Sequence, residues 1–401
     1  MTRTKEKMIV DHVVFSSAGG AGLAAQRIVE AQQSVGIDAR LVSRTTDRLG
    51  SRGAREPRLV SNSLFDHLVV RRRSIDSLFS VSRANVSGDM HFRHNALLHL
   101  HWIPGVISLQ ELAELASTKS SLILTLHDMW FLTGGCHFSQ GCEEFRYSCR
   151  RCPLVRKPFE NLVSRQFARK KSIFSKFQKI VVVSPGESLL RLARESGVLP
   201  PSANFIHIPN PLPDYELLSR KRGEIQNQRF CIALIASDFS EKRKRVDLAL
   251  SAFSTLQKSV GESNELSLIL IGSKPPKFIE QRGVSAIGEV RNQNEMRSIL
   301  AGVQLAWSFS SEEVFPNAIT ECASLGIPSI LSNIGAHEFA VHNGFAEVFE
   351  SDVDAVDLTM KIMRDPGRYE QMSISGFLFA TQLSLTRIGS RYLETYHTLY
   401  S

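Results

Sequence analysis

Two carboxylates eight residues apart bracket the most chemically suggestive stretch of the chain, Glu313-Val-Phe-Pro-Asn-Ala-Ile-Thr-Glu321. Pro316 suits the first position of a following helix, where its missing N–H costs nothing and its fixed φ is already right. That helix is expected to run to Leu325, stopped by Gly326 and Pro328. Glu313 then lies in the loop before the helix, Glu321 near its middle, and free backbone amides lie between them. Helix N-termini attract phosphate or partial negative charge, and carboxylates accept hydrogen bonds from hydroxyl groups. Few ligands want both, and a nucleotide sugar is one.

Other stretches carry chemistry of their own. Glu241-Lys-Arg-Lys-Arg245 opens a helix with four basic side chains, a cationic loop able to clamp a diphosphate or simply an exposed charged face. His127, in Leu124-Thr-Leu-His-Asp-Met-Trp130, follows an apolar strand. Carboxyl ends of parallel strands are where ligands sit in open α/β sheets, and histidine there can bond a hydroxyl or exchange a proton near neutral pH. Gly19-Gly20-Ala21-Gly22 follows a strand and precedes a helix read as Leu23 to Ser34. Such a turn aims backbone amides at a ligand or is glycine-rich for steric reasons alone.

Four of the six cysteines form Cys136-x5-Cys142-x6-Cys149-x2-Cys152. Four thiols with one C-x-x-C pair can hold a tetrahedral structural zinc, with reduced packing cysteines or a disulfide pair as the other readings. Four thiolates leave no open position for catalysis by that metal. Cys231 and Cys322 read as core residues.

The elements that must position these groups alternate between strand and helix in two rounds, the pattern of parallel sheets covered on both faces. Apolar runs predict strands at 8–15, 96–100, 122–126 and 180–183 in the first round. Those of the second lie at 230–236 and 266–271, then at 303–309 and 327–331 on either side of the paired glutamates. A proline-rich segment from Ile208 to Asp214, followed by a polar stretch to Gln228, is the expected hinge. The expected domains are 1–212, rejoined by a final helix at 385–401, and 213–384. That helix carries Ile388, Tyr392, Leu393, Tyr396 and Leu399 on one apolar face, which must be buried.

Composition agrees with a soluble enzyme. At 401 residues two cores of about 200 residues are natural. No apolar run reaches the ~20 residues needed to cross a bilayer, and Met1 to Phe15 lacks the apolar core and cleavage site of a signal peptide, so a cytoplasmic location is expected. Residues 1–212 hold 29 Lys and Arg against 17 Asp and Glu, whereas the remainder holds 19 against 23. Clusters at Arg52-Arg55-Arg58, Arg71-Arg72-Arg73 and Arg165-Arg169-Lys170-Lys171 make the first half the candidate for an anionic membrane surface at its inner face or a phosphorylated acceptor, with plain solvated faces as the alternative. No nucleic-acid-binding motif accompanies the charge.

Ser311 to Ser329, with its two glutamates, Phe-Pro-Asn turn and Gly326-x-Pro328 exit, resembles the E-x7-E signature of retaining glycosyltransferases of family 4. His99-Leu-His101-Trp102-Ile103 and the run from His127 to His137 resemble the bacterial exopolysaccharide, colanic-acid-type subgroup of that family. The resemblance implies a GT-B fold: two Rossmann-like domains facing a cleft, with the terminal helix crossing back to the first domain. It implies that the first domain binds a saccharide or lipid-linked saccharide acceptor and the second a nucleotide-diphosphate sugar. Glu321 would hold the ribose hydroxyls and Glu313 the donor sugar, while the Phe315-Pro316-Asn317 amides contact sugar and phosphate. Gly19 and Gly20 would lie near the donor phosphates, His127 beside the acceptor, and His101 would be structural.

Family members carry an arginine and a lysine that neutralise the leaving diphosphate, and Lys244, with Arg243 beside it, matches best. Such a clamp replaces the divalent cation other transferases need. Here Arg245 stands where a glycine is usual, and no arginine lies five residues before Lys244. Other readings are a nucleotide-sugar epimerase on the same architecture, a non-catalytic binding protein, and a zinc-bearing nucleic-acid binder.

Overall fold

A computed structural model describes residues 8–17, 19–43, 69–70, 79–82, 92–213, 230–261, 266–276 and 281–400. Arg52, Arg55, Arg58, Arg71, Arg72 and Arg73, and the hinge from Asp214 onward, lie outside these residues. The chain divides into two compact units, Met1–Pro211 with Leu385–Ser401, and Leu212–Ser384.

The first unit is built on a parallel sheet of six strands: β1 Ile9–Val14, β2 Asp38–Ser43, β3 Leu97–Leu100, β4 Ser121–Thr125, β5 Lys179–Ser184 and β6 Asn204–His207. Their order across the sheet is β2-β1-β3-β4-β5-β6. Helices α1 Gly19–Ser34, α2 Leu109–Thr118, α3 Glu160–Phe174 and α4 Glu187–Glu195 connect them. Inner strands are buried on both faces, so Leu122, Ile123, Leu124, Val182 and Val183 are wholly covered. Ser108 and Glu111 form a reciprocal capping box that starts α2.

The second unit repeats the plan with β7 Phe230–Asp238, β8 Leu266–Ser273, β9 Val284–Gly288, β10 Leu305–Ser308, β11 Ser329–Ser332 and β12 Ala346–Phe349. Helices α5 Val246–Val260, α6 Gln293–Leu300, α7 Asn317–Ser324, α8 Glu338–His342, α9 Asp352–Arg364 and α10 Pro366–Thr381 accompany them. The order β12-β11-β10-β7-β8-β9 reverses direction between β7 and β10, the arrangement of a doubly wound nucleotide-binding sheet. Phe253, Trp307 and Phe309 fill its core beside Leu268, Leu270 and Ile330.

Helix α11, Leu385–Tyr400, belongs to the first unit and lies against α1. Ile388, Tyr392, Tyr396 and Leu399 are buried, as their spacing requires, while Leu393 is half-buried. Gly389 permits the close approach: a Cβ there would sit 2.0 Å from the Ala31 carbonyl oxygen of α1.

Several expectations need correction. Helix α1 begins at Gly19, so the glycines form its first turn instead of preceding it. Pro316 is the N-cap of α7, outside the helix, with Asn317 as the first helical residue. Lys170 is fully buried, so it leaves the surface cluster that retains Arg165, Arg169 and Lys171 as exposed residues.

Candidate functional site

In open α/β sheets the ligand crevice lies outside the carboxyl ends of the strands where the order reverses. In the second unit those strands are β7 and β10. The loop after β7 carries a short helical turn at Lys242–Lys244, and the loop after β10 carries Glu313. Topology thus brings both sequence-selected groups to one place, although 69 residues separate them. Lys244 Nζ donates to Glu313 Oε1, and Arg243 Nη1 lies 3.2 Å from Oε2 of the same carboxylate. Arg243 also donates to the Glu312 carbonyl at 3.0 Å and pairs with Glu241 at 2.5 Å.

Burial alone would raise the Glu313 carboxyl, but Lys244, followed by Arg243, overcomes it and holds the pKa down to about 2. The centre therefore carries a fixed carboxylate and two cations. Arg245 occupies the left-handed region with φ 46° as it enters α5. That backbone conformation is one that glycine adopts without strain.

Glu321 lies half-buried on α7, which starts directly after the Phe315-Pro316 turn. The Phe315 ring is buried and stacks on Phe339 with centroids 5.0 Å apart, so it anchors the loop through its side chain. In the opening turn of α7 the Ile319 and Thr320 amides donate to the Pro316 carbonyl at 2.9 and 3.2 Å. Sequence reasoning missed His337: its Nδ1 donates to the Ser332 carbonyl at 2.8 Å, its buried Nε2 has no hydrogen-bond partner, and burial lowers its pKa while Glu313 raises it. A lone histidine after a strand gives no signal that it will fold within electrostatic reach of that carboxylate.

In the first unit the strand order turns between β1 and β3, and the carboxyl end of β1 leads into the glycines. Gly19 has φ 78°, a conformation that favours glycine, and a Cβ on Gly20 would meet open space. Gly22, the last glycine of the motif, is the sterically obligatory one, because a Cβ there would sit 2.3 Å from the Ser16 carbonyl oxygen.

His127 follows β4 and is half-buried. Burial pushes its pKa down to about 4 against the opposing influence of Asp128, so at neutral pH the ring is uncharged. Of the two roles expected of it, a neutral ring suits bonding a hydroxyl better than exchanging a proton near neutrality. Asp128 instead ties down its own turn: it accepts from the Trp130 amide at 2.7 Å and lies 2.6 Å from His137 Nδ1. His101, expected to be structural, bonds directly to His127, Nδ1 to Nε2, at 2.9 Å.

Cys136, Cys142, Cys149 and Cys152 line one small cavity with Gly134, Phe145, Leu154 and Val163. Burial raises the thiols of Cys136, Cys149 and Cys152, and the Gly134 amide donates to Cys149 Sγ at 3.3 Å. Lys170 approaches from α3, donating to the carbonyls of Trp130 at 2.5 Å and Thr133 at 3.0 Å, with Nζ 3.4 Å from the Trp130 ring centroid. Among the described residues, the group of three or more ligand-type side chains whose ligand atoms all lie within 4.8 Å of one another is His12, His99 and His101, not the cysteines.

Residues 231–364, which contain the whole Lys244–Glu313 centre, match the family described as Glycosyl transferases group 1. A curated relative, the putative colanic acid biosynthesis glycosyl transferase WcaC of Escherichia coli, is 36% identical over 64 residues, a stretch covering 16% of this chain and 16% of that protein. Sucrose-phosphate synthase of Thermosynechococcus elongatus superposes with a TM-score of 0.64 at 14% identity, covering 98% of this chain and 99% of that one. HepE of Anabaena, solved with UDP and glucose, gives 0.60 at 12% identity over 98% of this chain and 100% of its own. The fold is GT-B. The sequence match lies in a family described as glycosyl transferases, and no helix of the described residues is long and apolar enough to cross a membrane.

Proposed function

We propose that the protein is a retaining glycosyltransferase of the E-x7-E type, moving a sugar from a nucleotide-diphosphate donor to a hydroxyl of a saccharide or lipid-linked saccharide in cell-surface polysaccharide synthesis. The observation that supports this reading is the pairing of Glu313 with Lys244 and Arg243 at the point where the second sheet reverses order. In this reading Glu313 accepts from donor sugar hydroxyls, Glu321 from the ribose, and the Phe315-Pro316-Asn317 amides contact sugar and phosphate. Gly19 and Gly20 present the amides of the α1 turn to the donor phosphates.

The bond from the anomeric carbon to the diphosphate oxygen breaks as the acceptor oxygen bonds to the same face. The acceptor proton passes to the leaving phosphate, whose growing charge Lys244 and Arg243 stabilise without a required metal cofactor. His127 bonds a hydroxyl on the acceptor side. Zinc held by Cys136, Cys142, Cys149 and Cys152 would be structural; metal analysis finding close to one equivalent supports it, and none rejects it. The exposed Arg165, Arg169 and Lys171 suit contact with the anionic inner face of a membrane.

A thermal-shift screen of nucleoside diphosphates, followed by product analysis with the cognate nucleotide sugar, tests the reading. A stabilising nucleotide and a product of unchanged anomeric configuration are expected. An inverted product, or conversion of donor to its epimer without an acceptor, overturns it.

A further inference from the structure

Seven buried or half-buried side chains of the first unit form one continuous hydrogen-bonded line that ends at His127. Thr125 Oγ1 lies 2.7 Å from His99 Nε2, and His99 Nδ1 lies 2.7 Å from the Tyr396 hydroxyl. Gln32 Nε2 donates to that hydroxyl at 2.6 Å, and Gln32 Oε1 lies 2.9 Å from His12 Nε2. His12 Nδ1 lies 2.8 Å from His101 Nε2, and His101 Nδ1 lies 2.9 Å from His127 Nε2. The rings are stacked or tilted against one another, with centroids 5.1 Å apart for His12 and His101 and again for His101 and His127. Strands β1, β3 and β4 and helices α1 and α11 each supply members, so the line exists only in the folded unit.

A neutral imidazole carries one N–H, so each ring in such a line has one donating and one accepting nitrogen. Two facing lone pairs, or two facing hydrogens, at 2.8 Å would repel. His12, His101 and His127 therefore share one direction, and the Gln32 amide in the middle of the line sets it for all three. With its nitrogen on Tyr396, its oxygen must accept, so His12 Nε2 donates. His12 Nδ1 then accepts from His101 Nε2–H, and His101 Nδ1 accepts from His127 Nε2–H. Neutrality is secured by burial, which drives His99 and His101 well below the usual histidine range and holds His12 and His127 at about 4.

We propose that Gln32, His12 and His101 are positioning residues that lock His127 in the tautomer with Nε2 protonated, so that its Nδ1 presents a lone pair to a ligand. In that state His127 accepts a hydrogen bond from a hydroxyl and disfavours a carbonyl or phosphate oxygen, which would need a donor. Among the described residues only Nε2 of this ring has a protein partner. The run of His127, His101 and His12 meets the Gln32 amide oxygen, a poor proton acceptor, so it fixes orientation and tautomer and does not carry protons through the unit. That the ligand hydroxyl belongs to a sugar rests on the transferase reading; the tautomer does not.

Two-bond nitrogen–proton correlation spectra of protein labelled with 15N-histidine read the tautomer directly, with His127→Gln assigning the resonance. In the unliganded wild type at pH 7, His127 is expected to show protonated Nε2 and pyridine-like Nδ1. Folded Gln32→Leu is expected to spread His127 over both tautomers, and Gln32→Glu, whose carboxyl oxygen still accepts from His12, to restore the single one. Protonated Nδ1 in the wild type overturns the proposal, as does an unchanged tautomer in Gln32→Leu. Should Gln32→Leu fail to fold, the wild-type spectrum alone decides the direction. Absence of sugar transfer alongside the expected tautomer counts against the transferase reading and leaves this one standing.

Discussion

Lys244 and Glu313, from the loops after β7 and β10, form a half-buried ion pair in the second unit, and Arg243 closes on the carboxylate from its other oxygen. Removing Lys244 leaves Arg243 as the carboxylate's partner, so the cost falls below the ~3–5 kcal/mol of breaking a fully buried pair. In the proposed reaction a diphosphate arriving here competes with Glu313 for the same cations. Lys244→Ala is expected to lower turnover by about 10²–10³-fold, the size seen when one preorganised electrostatic donor is lost. Steady-state kinetics and nucleotide titration check this; a variant with wild-type turnover and nucleotide affinity removes Lys244 from the site.

The same pair predicts a dependence on acid. Glu313 titrates at about 2 when folded, below its ordinary value of 4.5. A carboxylate with a depressed folded pKa contributes stability that is complete above the unfolded value and is lost as pH falls toward the folded one. The melting-temperature gap between wild type and Glu313→Gln should therefore narrow progressively from pH 4.5 toward pH 2. A gap that stays constant over that window contradicts the pairing.

Lys170 predicts a slope of the same sign in an alkaline window. Burial pushes its pKa down to about 7 from 10.5, so between those values the unfolded chain binds the extra proton and stability rises with pH. Substitution by Met removes that proton linkage, although it also leaves the Trp130 and Thr133 carbonyls without their donor. Wild type should gain stability relative to Lys170→Met as pH is raised from 7 to 10, measured by denaturant midpoints at each pH. A difference independent of pH rejects a buried, depressed lysine.

Arg245 holds φ 46° at the entry to α5. A side chain in the left-handed region costs roughly 1–2 kcal/mol, which glycine avoids. Arg245→Gly should raise stability by about 1 kcal/mol, since glycine's greater unfolded-state freedom offsets part of the gain. Chemical denaturation checks the sign; a loss of stability would show that the arginine side chain contributes more than its backbone costs.

Gly389 faces the Ala31 carbonyl, where an added Cβ would come within 2.0 Å. Backbone cannot yield as a side-chain tip can, so α11 must shift against α1. Gly389→Ala is expected to cost about 1–3 kcal/mol and lower the melting temperature. Because Tyr396 rides on α11, the His99–Tyr396–Gln32 bonds should loosen with it, visible as a change in the His99 resonance in the same labelled protein. An unperturbed melt would mean the two helices are less closely apposed.

The apolar runs written into the chain identify β1, β3, β4, β5, β7, β8, β10 and β11, which are the inner strands of both sheets. The strands that escape notice, β2, β6, β9 and β12, are the four sheet edges. An edge strand is covered incompletely, so β9 is mostly exposed and β6 has no buried residue, and neither needs a continuous apolar run. The paired glutamates, the basic turn after β7 and the burial of α11 are legible for similar local reasons: each is a pattern of residue types at short spacing.

Which distant groups meet is another matter. The ion pair of Lys244 with Glu313, the electrostatic influence of that pair on His337, the burial of Lys170 and the line from Gln32 to His127 join residues from separate elements. Local sequence determines where a strand or helix forms, because periodicity and turn chemistry act over a few residues. Only the tertiary structure decides the ionisation of Glu313 and Lys170 and the bonding of four histidines, because desolvation and charge proximity depend on what the fold packs around each group.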